Sequence, residues 1–413
     1  MRRSALITLL LAACHAPLAA TVAKGANTDP QLLRPAPALS AEQQLDWAVG
    51  RSFAHKPWVS APATTTARDG LGPWFNANSC LGCHPGNGQG QLPEHGPGLI
   101  LRLPADSPLG SQLQDRALPG FRPEGRLVWD TVKNGVLAYR RYRIAEHSDL
   151  PVSPRLAPEL RGMAALEQLE ARDILAWADP DDANGDGISG RPALLLSDNG
   201  DTHLGRYGWK ASQASLAAQI AQAFAEDMGI DSSHRRSRSC ADEALAPAQQ
   251  QRCQRASGAE SGQSEEISNT LFAAVVRYFQ GLTPPAPPVI GHRAGQQIFD
   301  ELACSACHRP TLPLGEQTLS PYSDLLLHDM GEGLADAVTE GAASGSEWRT
   351  APLWGLGFRS RDPDNTRLLH DGRANSIHQA ILWHGGEAAA SAARYQQLTA
   401  QQTHDLIRFL QEL

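Results

Sequence analysis

Two short segments of the chain share one grammar: Cys80-Leu81-Gly82-Cys83-His84 and Cys304-Ser305-Ala306-Cys307-His308. They lie more than 200 residues apart. Cysteines at i and i+3 sit about one helical turn apart. That spacing lets two thiols reach the two vinyl groups of one haem, while the following histidine faces the iron. Thioredoxin-like CxxC chemistry does not require a histidine in both copies, and zinc needs four ligands per site. The motifs therefore predict two covalently attached haem c groups. Cys80, Cys83 and His84 hold the first, and Cys304, Cys307 and His308 hold the second.

The N-terminus agrees with a haem attached outside the cytoplasm. Arg2 and Arg3 precede an apolar run over residues 5–13, too short to span a bilayer, which reads as an export signal. Leu11-Ala12-Ala13-Cys14 resembles the bacterial lipobox. On that reading residues 1–14 are a lipoprotein-type signal and Cys14 carries lipid. With no Asp after Cys14, the anchor is expected at the outer membrane, facing the periplasm. Ordinary cleavage near Ala16 to Ala20 is the other reading. Nothing else approaches the run of about 20 apolar residues of a membrane helix, so the membrane is expected only through the lipid. Cys240 and Cys253 enclose a short polar loop, and a disulfide there suits an oxidising compartment. The formal net charge of −8 argues against a nucleic-acid partner.

Length and composition give an ordered chain of two or three domains: 413 residues, 41% hydrophobic and 19% charged. Residues 15–39 read as a tether. Ser40 with Gln43 and Thr399 with Gln402 form capping boxes. Leu216, Ile220 and Phe224, then Ile267, Leu271, Val275 and Tyr278, recur at helical spacing. Ala294, Ile298 and Leu302 line a helix leading into the second motif, and Leu406, Leu410 and Leu413 line the last helix. Alternating strand patterns look scarce, while 37 glycines and 29 prolines supply loops. The expected fold is mainly α: two cytochrome c-like domains with long loops and insertions, one haem each. The proline-rich stretch at 283–288 divides an N-terminal haem domain, 40–282, from a C-terminal cytochrome c domain, 289–413. Asp182, Asn184 and Asp186 alternate before Gly187 like the start of a calcium loop, but Ala193 stands where the bidentate glutamate belongs.

A sixth ligand decides whether a haem iron is closed or open to substrate. Spacing alone does not choose among Met163, Met228, Met330 and the histidines at 55, 95, 147, 203, 234, 292, 328, 370, 378, 384 and 404.

Several longer stretches carry a resemblance: GLGPWFNANSCLGCHPGNGQG, ADPDDANGDGISGRPA, YGWKASQASLAAQIAQAFAEDMGI, PYSDLLLHDMGEGLAD, EWRTAPLWGLG and LLHDGRANSIHQAILWHGGEA. From about residue 45 onward the chain resembles the bacterial di-haem oxidoreductases. More distantly it is similar to di-haem cytochrome c peroxidases and the methylamine-utilisation di-haem enzyme. The resemblance implies that peroxide is handled at the N-terminal haem and that electrons pass through the C-terminal one. It implies His384 as sixth ligand of the second haem, with Met330 as runner-up and His370 structural. It suggests Glu159 and Glu167 as groups that move protons, Trp209 as a relay between the haems, and a calcium ion between the domains. A small electron-donor protein of cytochrome c or cupredoxin type and peroxide or another small oxidant are the implied partners. A non-enzymatic electron carrier and a haem oxidase acting on a protein or thiol partner are the alternatives.

Overall fold

The computed structural model describes residues 39–197, 199–237, 265–282 and 286–413, with the single positions 34 and 251. The export signal, Cys14, the Cys240–Cys253 loop and residues 283–285 of the proline-rich stretch lie outside them. Among the described residues no helix is long and apolar enough to cross a membrane.

The helices form where caps and apolar spacing coincide. Helix Ala41–His55 starts at Ser40, whose hydroxyl accepts from Gln43 N (3.2 Å) while Gln43 Oε1 accepts from Ser40 N (2.8 Å). Helix Ala400–Leu410 starts the same way at Thr399 and Gln402. Helix Leu216–Gln222 is capped by Ser215 and runs into a π-helical turn, Ala223–Asp227. Helix Asn269–Gln280 buries Val275 and Tyr278 as expected. Helix Arg293–Glu301 presents a shifted face: Gly295, Ile298 and Phe299 are buried and Ala294 is exposed. The shift follows from close packing, since a Cβ on Gly295 would lie 2.1 Å from Asp405 O. Gly50 does the same for helices Ala41–His55 and Asn269–Gln280, where a Cβ would lie 1.9 Å from Ala274 O.

The expectation of a mainly α, plainly cytochrome c-like fold is corrected. The chain is only 30% helical, with 17% strand, and its strands form two-stranded antiparallel sheets. The longest, Leu127–Asn134 with Leu137–Ile144, turns through Gly135-Val136 with Gly135 at φ 59°. Glycine at the first position of a two-residue loop suits a hairpin turn, and Trp129, Val132, Tyr139 and Tyr142 supply the β-favouring side chains. Shorter sheets carry polar residues to the interior. Leu99–Arg102 pairs with Ser153–Leu156 and brings in Arg102 and Arg155. Leu327–Asp329 pairs with Glu347–Arg349 and brings in His328, Trp348 and Arg349.

The apolar core has two main centres. One gathers Trp47, Phe224, Tyr278 and their neighbours, together with Leu312, Leu319, Leu325, Leu326 and Trp354 from later in the chain. The other gathers Phe299, Trp383, Leu406 and Phe409, with Tyr139 of the long hairpin packed against it.

A buried hydroxyl ties these elements to the first motif. Tyr278 Oη accepts from Asn87 Nδ2 at 2.6 Å and lies 2.6 Å from His55 Nε2. Burial, then Arg51, pulls His55 down to about 4, so its imidazole is neutral when folded. Stability from this neutral ring is fully present above its ordinary value near 6.5 and is lost as pH falls toward 4. Denaturant unfolding at several pH values should therefore show less acid destabilisation between pH 6.5 and 4 in His55→Gln than in the parent. Equal slopes would refute this.

Candidate functional site: two cavities with a shared wall

The first motif begins with a one-turn helix, Cys80–Cys83, capped by Ser79, whose hydroxyl accepts from Gly82 N at 3.1 Å. The turn sets the two sulfurs on successive rungs, and His84 leaves the helix at φ −118°, ψ 68°. His84 Nδ1 donates to Pro158 O at 2.8 Å. A carbonyl only accepts, so the proton sits on Nδ1 and Nε2 keeps its lone pair. Burial pulls His84 down to about 4, which keeps it neutral and able to ligate.

The second motif sits on a 3₁₀ turn, Cys304–Ala306, that follows Ala303 at φ 60° and has no side-chain cap. His308 Nδ1 donates to Tyr322 O at 3.0 Å, and burial, then His384, pulls it down to about 4. His384 follows helix Ile377–Leu382 and donates Nδ1 to Ala380 O at 2.7 Å. Burial lowers its pKa as well. The rings of His308 and His384 face each other with centroids 6.4 Å apart. Two metal–nitrogen bonds of about 2 Å each, plus a ring radius on either side, need roughly that span. An iron between them fits.

Each motif opens onto a cavity. The volume is about 200 Å³ at the first and about 210 Å³ at the second, and both are lined mainly by apolar side chains. Trp209 and Arg349 line both cavities and so form a shared wall. Trp209 Nε1 donates to Leu156 O at 2.8 Å, and Arg349 N donates to Trp209 O at 2.9 Å.

The cysteines are not built for thiol chemistry. Cys80, Cys83, Cys304 and Cys307 form no disulfide. Burial, then Asp227, pushes the Cys80 thiol up to about 12 and Cys83 well above its ordinary value. Burial, then Cys307, pushes Cys304 to about 12. A reactive dithiol needs the opposite shift.

Most other candidates are engaged elsewhere. His328 sits between Asp324 Oδ2 (2.9 Å) and Glu387 Oε2 (2.6 Å), both nitrogens spent. Burial opposes its charging, but Asp324, Cys307 and Glu387 outweigh it and hold it protonated. It approaches Cys307 and Asp324 closely enough to suggest a metal group, yet an imidazolium has no lone pair to give. His370 lines the second cavity and stacks on Trp348, with centroids 3.7 Å apart. His95 is exposed. Met330 lines the second cavity, and Met163 and Met228 line the first.

Neither Glu159 nor Glu167 lines either cavity. Glu159 is buried against Arg161, with Oε1 accepting at 2.9 and 3.1 Å. Glu167 is exposed and its Oε1 accepts from Leu216 N at the start of a helix. The acidic groups on the first cavity are Glu226, Asp227 and Glu340. Burial pushes Asp227 up to about 6 against the pull of Gln112, which donates to Oδ1 at 2.6 Å. Burial also opposes ionisation of Glu226, but Arg102 and Arg235 hold its carboxyl low. Adjacent carboxyls driven apart in this way are what acid–base work needs. EDMG at 226–229 was visible in the sequence, but only the π-helical turn reveals that it faces the cavity. The Asp182, Asn184 and Asp186 oxygens accept from amides of their own loop: Gly187 N (3.1 and 3.2 Å), Asp186 N (2.8 Å) and Ile188 N (2.9 Å).

Two cavities that share a wall, each with a paired-cysteine turn and a ligand-ready histidine of its own, suit a protein with two haem centres. The chain belongs to the family described as "di-haem oxidoreductase, putative peroxidase", whose model matches residues 141–413. The cofactor class of that family is haem, and the chain is an oxidoreductase at that coarse level. No curated protein matches the chain.

Proposed function

We propose that this chain is an exported di-haem c-type oxidoreductase that reduces peroxide at the Cys80–His84 centre, with electrons entering at the Cys304–His308 centre. One observation carries the reading. A second histidine, His384, faces His308 at 6.4 Å between ring centroids, whereas no histidine besides His84 lines the first cavity among the described residues. Bound haem supplies the electron transfer and the redox chemistry. The chain supplies the rest. The cysteine pairs would anchor the groups covalently, and His84, His308 and His384 would ligate. Asp227, poised near 6 beside an ionised Glu226, is placed to move a proton in the first cavity. Trp209 on the common wall is the proposed relay between centres. Periplasmic exposure through a lipid on Cys14, and a small cytochrome c or cupredoxin as donor, complete the proposal.

Met163 and Met228 favour a second reading. Either thioether would close the first centre and leave an electron carrier. Carbon monoxide and cyanide binding separate the two. We expect one of the two centres to bind each ligand and steady-state peroxide consumption to follow with a reduced small cytochrome as donor. If both centres stay low-spin and refuse both ligands, the peroxidase reading is wrong.

A further inference from the structure

The cations on the first cavity's wall are unequally paired. Arg102 ion-pairs with Glu226. Arg155 donates from Nη1 to Asp336 Oδ2 at 2.8 Å, and its side chain is only 5% exposed. Its buried Nη2 has no hydrogen-bond partner among the described residues and approaches Glu340 Oε2 only to 3.8 Å. Arg349 is 6% exposed and lies within ion-pair distance of no carboxylate among the described residues. It spends Nε on Gly208 O (3.0 Å) and Nη1 on Thr350 O (3.1 Å). Burial pulls Arg349 down to about 10, which still leaves it charged at neutral pH.

A buried guanidinium without a counter-charge is costly, and such groups are ordinarily paired. Arg155 has a counter-charge in Asp336 but leaves Nη2 without a hydrogen bond, and Arg349 has no carboxylate in reach among the described residues; together these donors on one cavity wall point to an anion that the protein chain does not itself supply. The fork of a guanidinium matches the planar pair of oxygens in a carboxylate. Glu226, Asp227 and Glu340 line the same cavity and would repel an anion of higher charge. We propose that Arg155 and Arg349 form a carboxylate-binding site on the wall of the first cavity, at its border with the second. The carboxylate comes from one of two sources: a propionate of the haem in the first cavity, or a small free carboxylate that enters with substrate. The first source rests on the functional reading above; the second does not.

The test uses full-length protein, with haem content per chain measured first. The variants are Arg155→Gln, Arg155→Lys and Arg349→Lys, the lysines guarding against a loss of folding. Two readouts are taken: the midpoint potential of the first centre against pH, and calorimetric binding of sodium formate at constant ionic strength. If the carboxylate is a propionate, R155Q lowers the potential and makes it pH-dependent between about pH 5 and 8, because removing the cation raises the propionate pKa. R155K then restores most of the parental potential, and formate does not bind. If the source is free carboxylate, formate binds the parent saturably and at least about tenfold more weakly to R155Q and R349K. Parental potentials in every variant, together with no formate binding, overturn the site. If the parent carries no haem, the functional reading falls instead, and formate binding still decides the site.

Discussion

Replacing His384 by alanine should convert the second centre from low-spin to high-spin and make it bind carbon monoxide. The expectation follows from three facts. His384 and His308 face each other at 6.4 Å between centroids. Both are neutral through burial. Both have their Nδ1 protons committed to backbone carbonyls, so each Nε2 is unprotonated and free to ligate. Loss of such a ligand should cost peroxide turnover at least the roughly 10–100-fold typical of losing an outer partner. His384→Met should instead stay low-spin with a raised potential, since thioether ligation favours the reduced state. An unchanged spectrum in His384→Ala would hand the position to Met330, which lines the same cavity. Combining it with Met330→Leu would then produce the high-spin form.

How much of this was legible before the fold is uneven, for physical reasons. The motif cysteines and histidines stood out in the sequence because covalent haem attachment would demand a fixed local spacing. The capping boxes at Ser40 and Thr399 were readable because a cap is satisfied within four residues. His384 came from resemblance, and its place opposite His308 depends on a cavity whose walls are distant in sequence. The hairpin at 127–144 was missed although its Gly135-Val136 turn lies between two runs of β-favouring residues. Short strands give little periodic signal, and the haem motifs drew attention to helices. Arg155, Trp209 and Arg349 could not be grouped from sequence at all. They come from different strands and loops: Arg155 and Arg349 lie on separate two-stranded sheets, and Trp209 is tied to both through Leu156 O and Arg349 N. Glu159 and Glu167 show the converse. A carboxylate in a suggestive segment has many structural uses, here an arginine contact and a helix start.

Changing Cys80 and Cys83 together to serine should lower covalently bound haem from two per chain to one, and peroxide turnover should fall to background. Pyridine haemochrome after acid–acetone extraction measures the first, and a peroxide assay with a reduced small cytochrome measures the second. The partner variant, Cys304 and Cys307 to serine, should show the same haem count and a different defect. The His308–His384 pair belongs to that centre, and under the proposed function its loss removes the route of electron entry. The reduced protein should still react with peroxide once, but steady-state turnover should stop. The asymmetry between the two variants is the informative result. If both keep two covalent haems, the sulfurs are not the attachment points. If both lose the single-turnover reaction equally, the division of labour between the cavities is wrong even though the haems are attached. Trp209→Phe separates the remaining possibility, since it leaves both motifs untouched. Slower electron transfer between two fully loaded centres in that variant would assign the shared wall, rather than either cavity, to the step that links them.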